Sequence, residues 1–252
     1  RSKVRILQRV PYTKKGVDMN QGKVTIVEGI IGAGKSTFSK ELAKALGEDT
    51  LLLLEPDEKN NANPYLSSFY ENQERWAFTM QIHLLQARYK MHLNAQWHAM
   101  NGNGDAVLDR SYFGDTAFAR LQIQNGVMTE NEFETYRGIY HSMTSTVLLP
   151  NFCVHLVVDP NIAIQRIKNR MEEETGRKCE TTIDMGYLCS LHEQNLHMIN
   201  VLNSQGVDII EVPWDQDLGR EDARADTVQR VADRILSASS PSPFLDLHRR
   251  TI

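Results

Sequence analysis

A parallel α/β sheet of five strands, covered by helices on both faces, is the fold this sequence predicts. Three observations predict it. Short β-branched or Leu-rich runs recur at Val24 to Val27, Leu51 to Leu54, Ala106 to Leu108, Val154 to Val158 and Val207 to Val212. The segments between them are long and helix-like, as crossovers between parallel strands require. The first run leads directly into Gly29-Ile30-Ile31-Gly32-Ala33-Gly34-Lys35-Ser36 and then into a helical segment. In such sheets ligands collect beyond the carboxyl ends of the strands, so chemistry is expected just after each run.

The turn after the first run has the composition of a phosphate cradle. Gly29, Gly32 and Gly34 let the backbone curl, so that N–H groups from Ala33 onward converge on an anion. Lys35 adds a mobile positive charge, Ser36 can ligate magnesium, and Thr37 continues the first helical turn at its electropositive end. The combination predicts binding of a nucleoside triphosphate.

After the second run, Glu55 precedes Pro56, which cuts the strand short. Its carboxylate should emerge near the donor phosphates as a general base for a hydroxyl acceptor; the plainer reading is a solvated turn acid. The segment Glu74 to Trp97 has helical periodicity, and Gln81, Leu84, Leu85 and Arg88 share one face at i, i+3, i+4 and i+7. The Gln81 amide suits the hydrogen-bonding edge of a nucleobase, and Arg88 could read another base atom. Equally, Gln81 could be a satisfied core amide and Arg88 an interface salt-bridge residue; spacing does not decide between them.

The third run ends in Asp109-Arg110-Ser111. Asp109 is placed to hold magnesium directly or through water, and Arg110 to reach phosphate oxygens, against the alternative of an ion pair capping a helix. Beyond the fourth run and Asp159-Pro160, Arg166 and Arg170 lie four apart on one helical face, followed by Glu172-Glu173-Glu174-Thr175-Gly176. Two such arginines can close over phosphates as a lid, although a charge run of this kind is also what a solvated face looks like. The fifth run ends in Trp214-Asp215.

The 252 residues, 41% of them hydrophobic, suit one domain, read as 23–236 between a basic tail (1–22) and a Ser/Pro-rich tail (237–252). Net charge is −4, yet residues 1 to 23 hold seven Lys or Arg and one acid, so the body is acidic and a nucleic-acid polymer is a poor partner. No apolar run approaches the roughly 20 residues of a membrane helix, and no secretory signal opens the chain, which predicts a soluble protein. Cys153, Cys179 and Cys189 lack paired spacing, which argues against a disulfide framework or structural zinc. A reducing, cytoplasmic setting follows. The Arg-containing leader also has the character of an organelle-targeting remnant, but a flexible tail before a start at Met19 is preferred.

Taken together, the motifs resemble the deoxynucleoside kinase family, in particular its bacterial and viral deoxyadenosine/deoxyguanosine kinase branch. The resemblance runs from Val24 to about Val212. It rests on the Gly-rich loop, Glu55-Pro56, Asn63-Pro64-Tyr65-Leu66, Phe69-Tyr70-Glu71-Asn72, Glu74-Arg75-Trp76-Ala77-Phe78 leading to Gln81, Asp109-Arg110-Ser111 with Asp115, and Arg166/Arg170. It implies a P-loop kinase fold with a helical lid, ATP and Mg²⁺ as donor and metal, and a homodimer; Trp97 and the stretch from Tyr136 to Met143 are apolar enough to contribute to it, and buried core explains them equally well. It further implies that Glu55 takes the proton from a nucleoside 5′-hydroxyl while Arg110 and Lys35 stabilise the reacting groups. Tyr70 and Glu174, or Glu173 in a shifted register, would hold the sugar 3′-hydroxyl. Gln81 would bind the base, with Trp76, Met80 and Phe113 around the pocket and Asp215 near the ATP adenine. The pair Arg88 and Asp115 matches relatives that accept purines or cytosine, so a deoxypurine is expected first and deoxycytidine second.

Two other readings compete. A thymidylate kinase-like enzyme shares the loop, the strand-end Asp-Arg and the lid, but needs an arginine beside Glu-Pro where this chain has Leu54. A non-catalytic nucleotide-binding subunit would be expected to have lost Lys35 or Glu55, and both are present.

Overall fold

The computed structural model describes residues 21–55, 63–172, 183–215 and 221–238. Strands β1 (Val24–Glu28), β2 (Leu51–Leu53), β3 (Ala106–Asp109), β4 (Phe152–Val157) and β5 (Asp208–Pro213) form one parallel sheet in the order β2-β3-β1-β4-β5. Each predicted run is a strand, with shifted ends. β4 starts at Phe152 rather than Val154 because Phe152 and Cys153 already pair with Thr25 and Ile26. β2 stops at Leu53, and Leu54 turns outward, 40% exposed. The chain reverses its direction of travel across β1, which opens a crevice at the carboxyl ends of β1 and β3.

The connecting helices are α1 (Lys35–Leu46), α2 (Leu66–Glu71), α3 (Gln73–Met100), α4 (Tyr112–Gln124), α5 (Glu130–Thr144), α6 (Pro160–Glu172), α7 (Met185–Ser204) and α8 (Glu221–Ser237). Strand alternation divides the sheet between two cores. Val27, Val107, Val154, Ile210 and Val212 pack with Phe38, Leu42, Val231 and Ile235 of α1 and α8. Ile26, Leu108 and Cys153 pack with Leu85, Tyr112, Tyr136 and Met198 of α3, α4, α5 and α7. Gly22 donates its N–H to Ala99 O at 3.0 Å, and Lys23 Nζ donates to Ile235 O at 2.7 Å, placing a cation on the electronegative end of α8. Tyr136 and Tyr140 are core residues, whereas Trp97 is 62% exposed. Among the described residues no helix is long and apolar enough to cross a membrane.

The long α3 carries the site's polar residues on its buried stripe: Met80, Gln81, Leu84, Leu85, Arg88 and His92 all face inward. His92 Nε2 lies 2.9 Å from the Leu148 carbonyl oxygen, so that nitrogen carries the proton and donates. Its Nδ1 is buried without a hydrogen-bond partner among the described residues, edge-on to Tyr112 and Phe113. A second proton would therefore place an unsolvated charge between aromatic rings, and burial pulls the imidazole from 6.5 down to about 4.

The unfolded chain takes up that proton first as pH falls below the ordinary value. Stability from this group is thus complete above about pH 6.5 and is lost toward pH 4. Compared by urea unfolding at pH 7.5 and 4.5, His92→Gln should lose roughly 2 to 3 kcal/mol less than the parent. Equal losses in the two proteins would refute this origin of the acid sensitivity.

Candidate active site

Gly32 (φ +79°) and Gly34 (φ +85°) lie where only glycine is at ease. A Cβ on Gly32 would fall 2.5 Å from Ala163 O, and one on Gly34 would fall 3.1 Å from Trp214 Nε1. The turn is therefore pressed against α6 and the end of β5, and its second half opens as the first turn of α1. Ser36 and Thr37 are exposed there, while Lys35 is buried beneath them. Lys35 Nζ donates to Ile30 O at 2.8 Å and Gly29 O at 3.2 Å. Burial and the nearby Arg110 charge pull its ammonium down to about 7, against the opposing pull of Asp109 and Glu55.

Ser36 Oγ donates to Asp109 Oδ2, which joins the loop to the end of β3. Asp109 Oδ1 is buried with no hydrogen-bond partner among the described residues, and burial raises its carboxyl despite Lys35. A hydroxyl beside a carboxylate with a spare oxygen fits a hard divalent cation such as Mg²⁺. Among the described residues no three His, Cys, Asp or Glu side chains cluster as a ready metal site, so phosphate oxygens and water would complete its coordination.

Arg110 does not pair with Asp109, which removes the helix-capping ion pair as an alternative. Its backbone is left-handed (φ +68°), and its N–H bonds Val27 O at 3.0 Å. The guanidinium lies 4.7 Å above the Phe118 ring. Its Nε donates to Glu55 Oε2 at 3.3 Å and its NH2 to Gly29 O at 3.5 Å. Glu55 thus sits across one guanidinium from the Gly-rich loop. Its other oxygen accepts from Arg88. Burial pushes the Glu55 carboxyl up, but the guanidiniums of Arg88 and Arg110 outweigh it and hold it well below the usual carboxylate range. Its side chain stays 20% exposed.

Arg88 is buried and spans two acids, Glu55 through NH2 and Asp115 through NH1. Gln81 is fully buried and its amide is engaged: Nε2 donates to Asp115 Oδ2 at 2.7 Å and to Asp115 O at 3.0 Å, and Oε1 accepts from Gln122 at 2.9 Å. This satisfies both N–H groups inside the core and leaves one Oε1 lone pair over, so both readings open from spacing stand. Arg88, however, is an internal bridge rather than an interface residue. The Tyr136 hydroxyl donates to Asp115 Oδ2 at 2.8 Å. Burial raises the Asp115 carboxyl even with its three side-chain contacts from Arg88, Gln81 and Tyr136.

Met80, Tyr70 and Trp76 share an apolar cluster built on Phe69 and Leu84, with Arg75 over the Trp76 ring at 4.5 Å. Phe113 belongs to a different cluster, 4.1 Å from the Tyr112 ring and 6% exposed, and is core rather than an open pocket wall. Arg166 reaches Ala33 O at 3.4 Å and Trp214 O at 2.9 Å, so its guanidinium does lie over the Gly-rich loop. Arg170 is half-buried one turn further along α6. Asp215 accepts from the Asp159 N–H at 2.8 Å, tying β5 to the start of α6. Pro56, Glu173 and Glu174 lie outside the described residues.

Sequence reasoning gave no site role to Glu28, Phe118 and Gln122, named Ser111 only as part of the Asp109-Arg110-Ser111 motif, and named Tyr136 only in a dimer-or-core stretch. Glu28 offered a signal: a lone acid in an otherwise apolar strand, next to the first glycine of the loop. The others reveal themselves only in three dimensions.

A profile of the deoxynucleoside kinase family matches residues 25–237. Over 195 residues the chain is 34% identical to a deoxyguanosine kinase of Dictyostelium discoideum, covering 77% of this chain and 65% of that one. Over 218 residues it is 31% identical to a deoxyadenosine/deoxycytidine kinase of Bacillus subtilis, covering 86% and 93%. A solved deoxyadenosine kinase from M. mycoides with bound dATP has the same fold, with a TM-score of 0.67 at 24% identity over 85% of this chain and all of that one. With the Gly-rich loop, Glu55, the Asp109-Arg110 corner and the Arg88–Asp115 pair gathered at one sheet edge, the chain belongs to the deoxynucleoside kinase family.

Proposed function

We propose that this deoxynucleoside kinase transfers the terminal phosphoryl group of ATP to the 5′-hydroxyl of a purine deoxynucleoside, with deoxycytidine as second choice. The observation that carries the reading is the position of Glu55 and the Gly-rich loop on two edges of the Arg110 guanidinium. An acceptor hydroxyl on Glu55 then faces a phosphate held by the loop. The new bond forms between the 5′-oxygen and the γ-phosphorus, the bond from that phosphorus to the bridging oxygen of ADP breaks, and the hydroxyl proton passes to Glu55.

With its carboxyl held so low, Glu55 is a weak base. It orients the hydroxyl and accepts the proton late, as suits a loose transition state in which charge builds on phosphoryl oxygens rather than on the nucleophile. Lys35, Arg110 and, from α6, Arg166 and Arg170 are the cations available to that charge. Mg²⁺ held by Ser36 and Asp109 would neutralise donor phosphate charge. Purine preference is supported by the buried Arg88–Asp115 pair and by relatives named deoxyguanosine and deoxyadenosine kinase. Both Gln81 amide protons are committed to Asp115, so in this arrangement its carbonyl oxygen, which has a spare lone pair, is the end left to accept from a base amine.

Glu55→Gln should lower kcat by about 10²- to 10⁴-fold in an assay of deoxynucleoside-dependent ADP release, the range for loss of a positioned base. Near-parental kcat would remove Glu55 from the mechanism. Arg88→Met leaves the buried Asp115 without its cation and Glu55 with only Arg110, and will destabilise the fold, so the diagnostic quantity is a ratio independent of active enzyme concentration. The kcat/KM of deoxyadenosine or deoxyguanosine relative to thymidine should fall at least about tenfold, as expected when a charged hydrogen bond to the base is lost. An unchanged ratio would show that this pair does not select the base.

A further inference from the structure

We propose that Glu28 is a positioning residue for phosphoryl transfer, holding the Arg110 corner so that its guanidinium faces both Glu55 and the Gly-rich loop. The proposal rests on the function given above and concerns a residue that touches neither substrate.

Glu28 ends β1, immediately before Gly29, and is fully buried. An ionisable group there is costly unless its oxygens are used. Oε1 accepts from the Ser111 N–H at 2.8 Å and from the Ser111 hydroxyl at 2.6 Å. The peptide it grips follows Arg110, whose left-handed backbone is unfavourable for a residue with a side chain and persists only where neighbours fix it. The clamp has two jaws: Val27 O takes the Arg110 N–H and the Glu28 carboxylate takes the Ser111 N–H.

The second oxygen faces the guanidinium. Oε2 lies 4.0 Å from Arg110 NH1, and neither atom has a hydrogen-bond partner among the described residues. Three edges of the guanidinium thus meet Glu55, Gly29 O and Glu28, with Phe118 beneath. The adjoining helix is cut to fit this carboxylate. A Cβ on Gly114 would sit 2.5 Å from Oε2, and no backbone relief is at hand because Gly114 N caps onto Ser111 Oγ at 3.2 Å. A strand end needing only a plug would be filled by an apolar side chain. This one carries a carboxyl group whose free oxygen is aimed at the cation that, among the described residues, contacts both Glu55 and the loop.

Glu28→Gln keeps shape and one acceptor for Ser111 but turns a donor toward Arg110 NH1. It should lower kcat by about 10²-fold, the scale of losing one preorganised charge-stabilising group, while KM for deoxynucleoside and ATP moves less than about threefold. In an Arg110→Ala background the same change should cost less than about threefold, because a residue acting through Arg110 has nothing left to position. Equal losses in both backgrounds, or a loss confined to KM, would overturn the proposal. Should Glu28→Gln fail to fold by circular dichroism, Ser111→Ala, which removes the hydroxyl bond to Glu28 together with the cap on the Gly114 N–H, provides the same test. Its kcat loss should vanish beside Arg110→Ala, and persistence of that loss would overturn the proposal equally. If the parent protein shows no deoxynucleoside-dependent ADP release, it is the functional reading that falls. Activity in the parent with full kcat in Glu28→Gln removes the positioning role alone.

Discussion

The site is organised around the guanidinium of Arg110, fixed at a left-handed corner between β3 and α4. It contacts the carboxylate that follows β2, the first carbonyl of the loop after β1 and the acid that ends β1. Residues 28–29 and Glu55, two segments far apart in sequence, are thereby registered against the β3–α4 corner by one planar cation whose donors have fixed directions. Parallel pairing sets the frame, since Val27 lies beside Asp109 in the β1–β3 ladder and brings the loop and the corner to the same height. The side chain then sets the finer distances that positional catalysis demands.

The electrostatics follow from putting many charges in little solvent. Lys35, Arg88 and Arg110 share the space with Glu28, Glu55, Asp109 and Asp115. Desolvation acts on all of them, and contact geometry decides the outcome for each. Glu55, touching two guanidiniums, is held down as an anion. Asp109, Asp115 and Glu28 are raised because burial outweighs their partners. Lys35 is lowered because burial and Arg110 outweigh its acids, a state from which an arriving phosphate would restore its charge. The cluster is therefore best matched to an anionic occupant on the loop side and a neutral hydroxyl on the Glu55 side.

The strands, the phosphate loop, Glu55 and the Asp109-Arg110 corner were legible in the sequence because each is a local pattern: an apolar run, a spacing of glycines, a charged residue just past a strand. Arg88 and Gln81 were half legible. Helical periodicity placed them on one face, but whether an amide there reads a ligand or satisfies the core depends on Asp115 and Gln122, 34 and 41 residues away. Tyr136 was marked only as part of an apolar stretch that could serve a dimer or the core, and it is core apart from its hydroxyl. Phe113 was misplaced for the opposite reason: its position after the Arg-Ser corner suggested the pocket, while packing on Tyr112 and His92 draws it inside. Glu28 was marked in the sequence as the acid ending an apolar run, but its hold on the Arg110 corner, 82 residues away, shows only in the fold.

Arg88 connects the two halves of the site in a way that no list of separate roles captures. One guanidinium bonds Asp115, beneath the Gln81 amide, and Glu55, beside the loop. Asp115 is itself fixed by Gln81 and Tyr136, so it cannot move without loosening three elements at once: α3, α4 and α5. The rigidity of that polar core is passed to Glu55 through a single residue. Glu55 needs such support because it stands in the irregular segment after a three-residue edge strand, where the ladder gives it none. A carboxylate in that position is held by its cations or not at all, which is why two arginines, rather than one, converge on it.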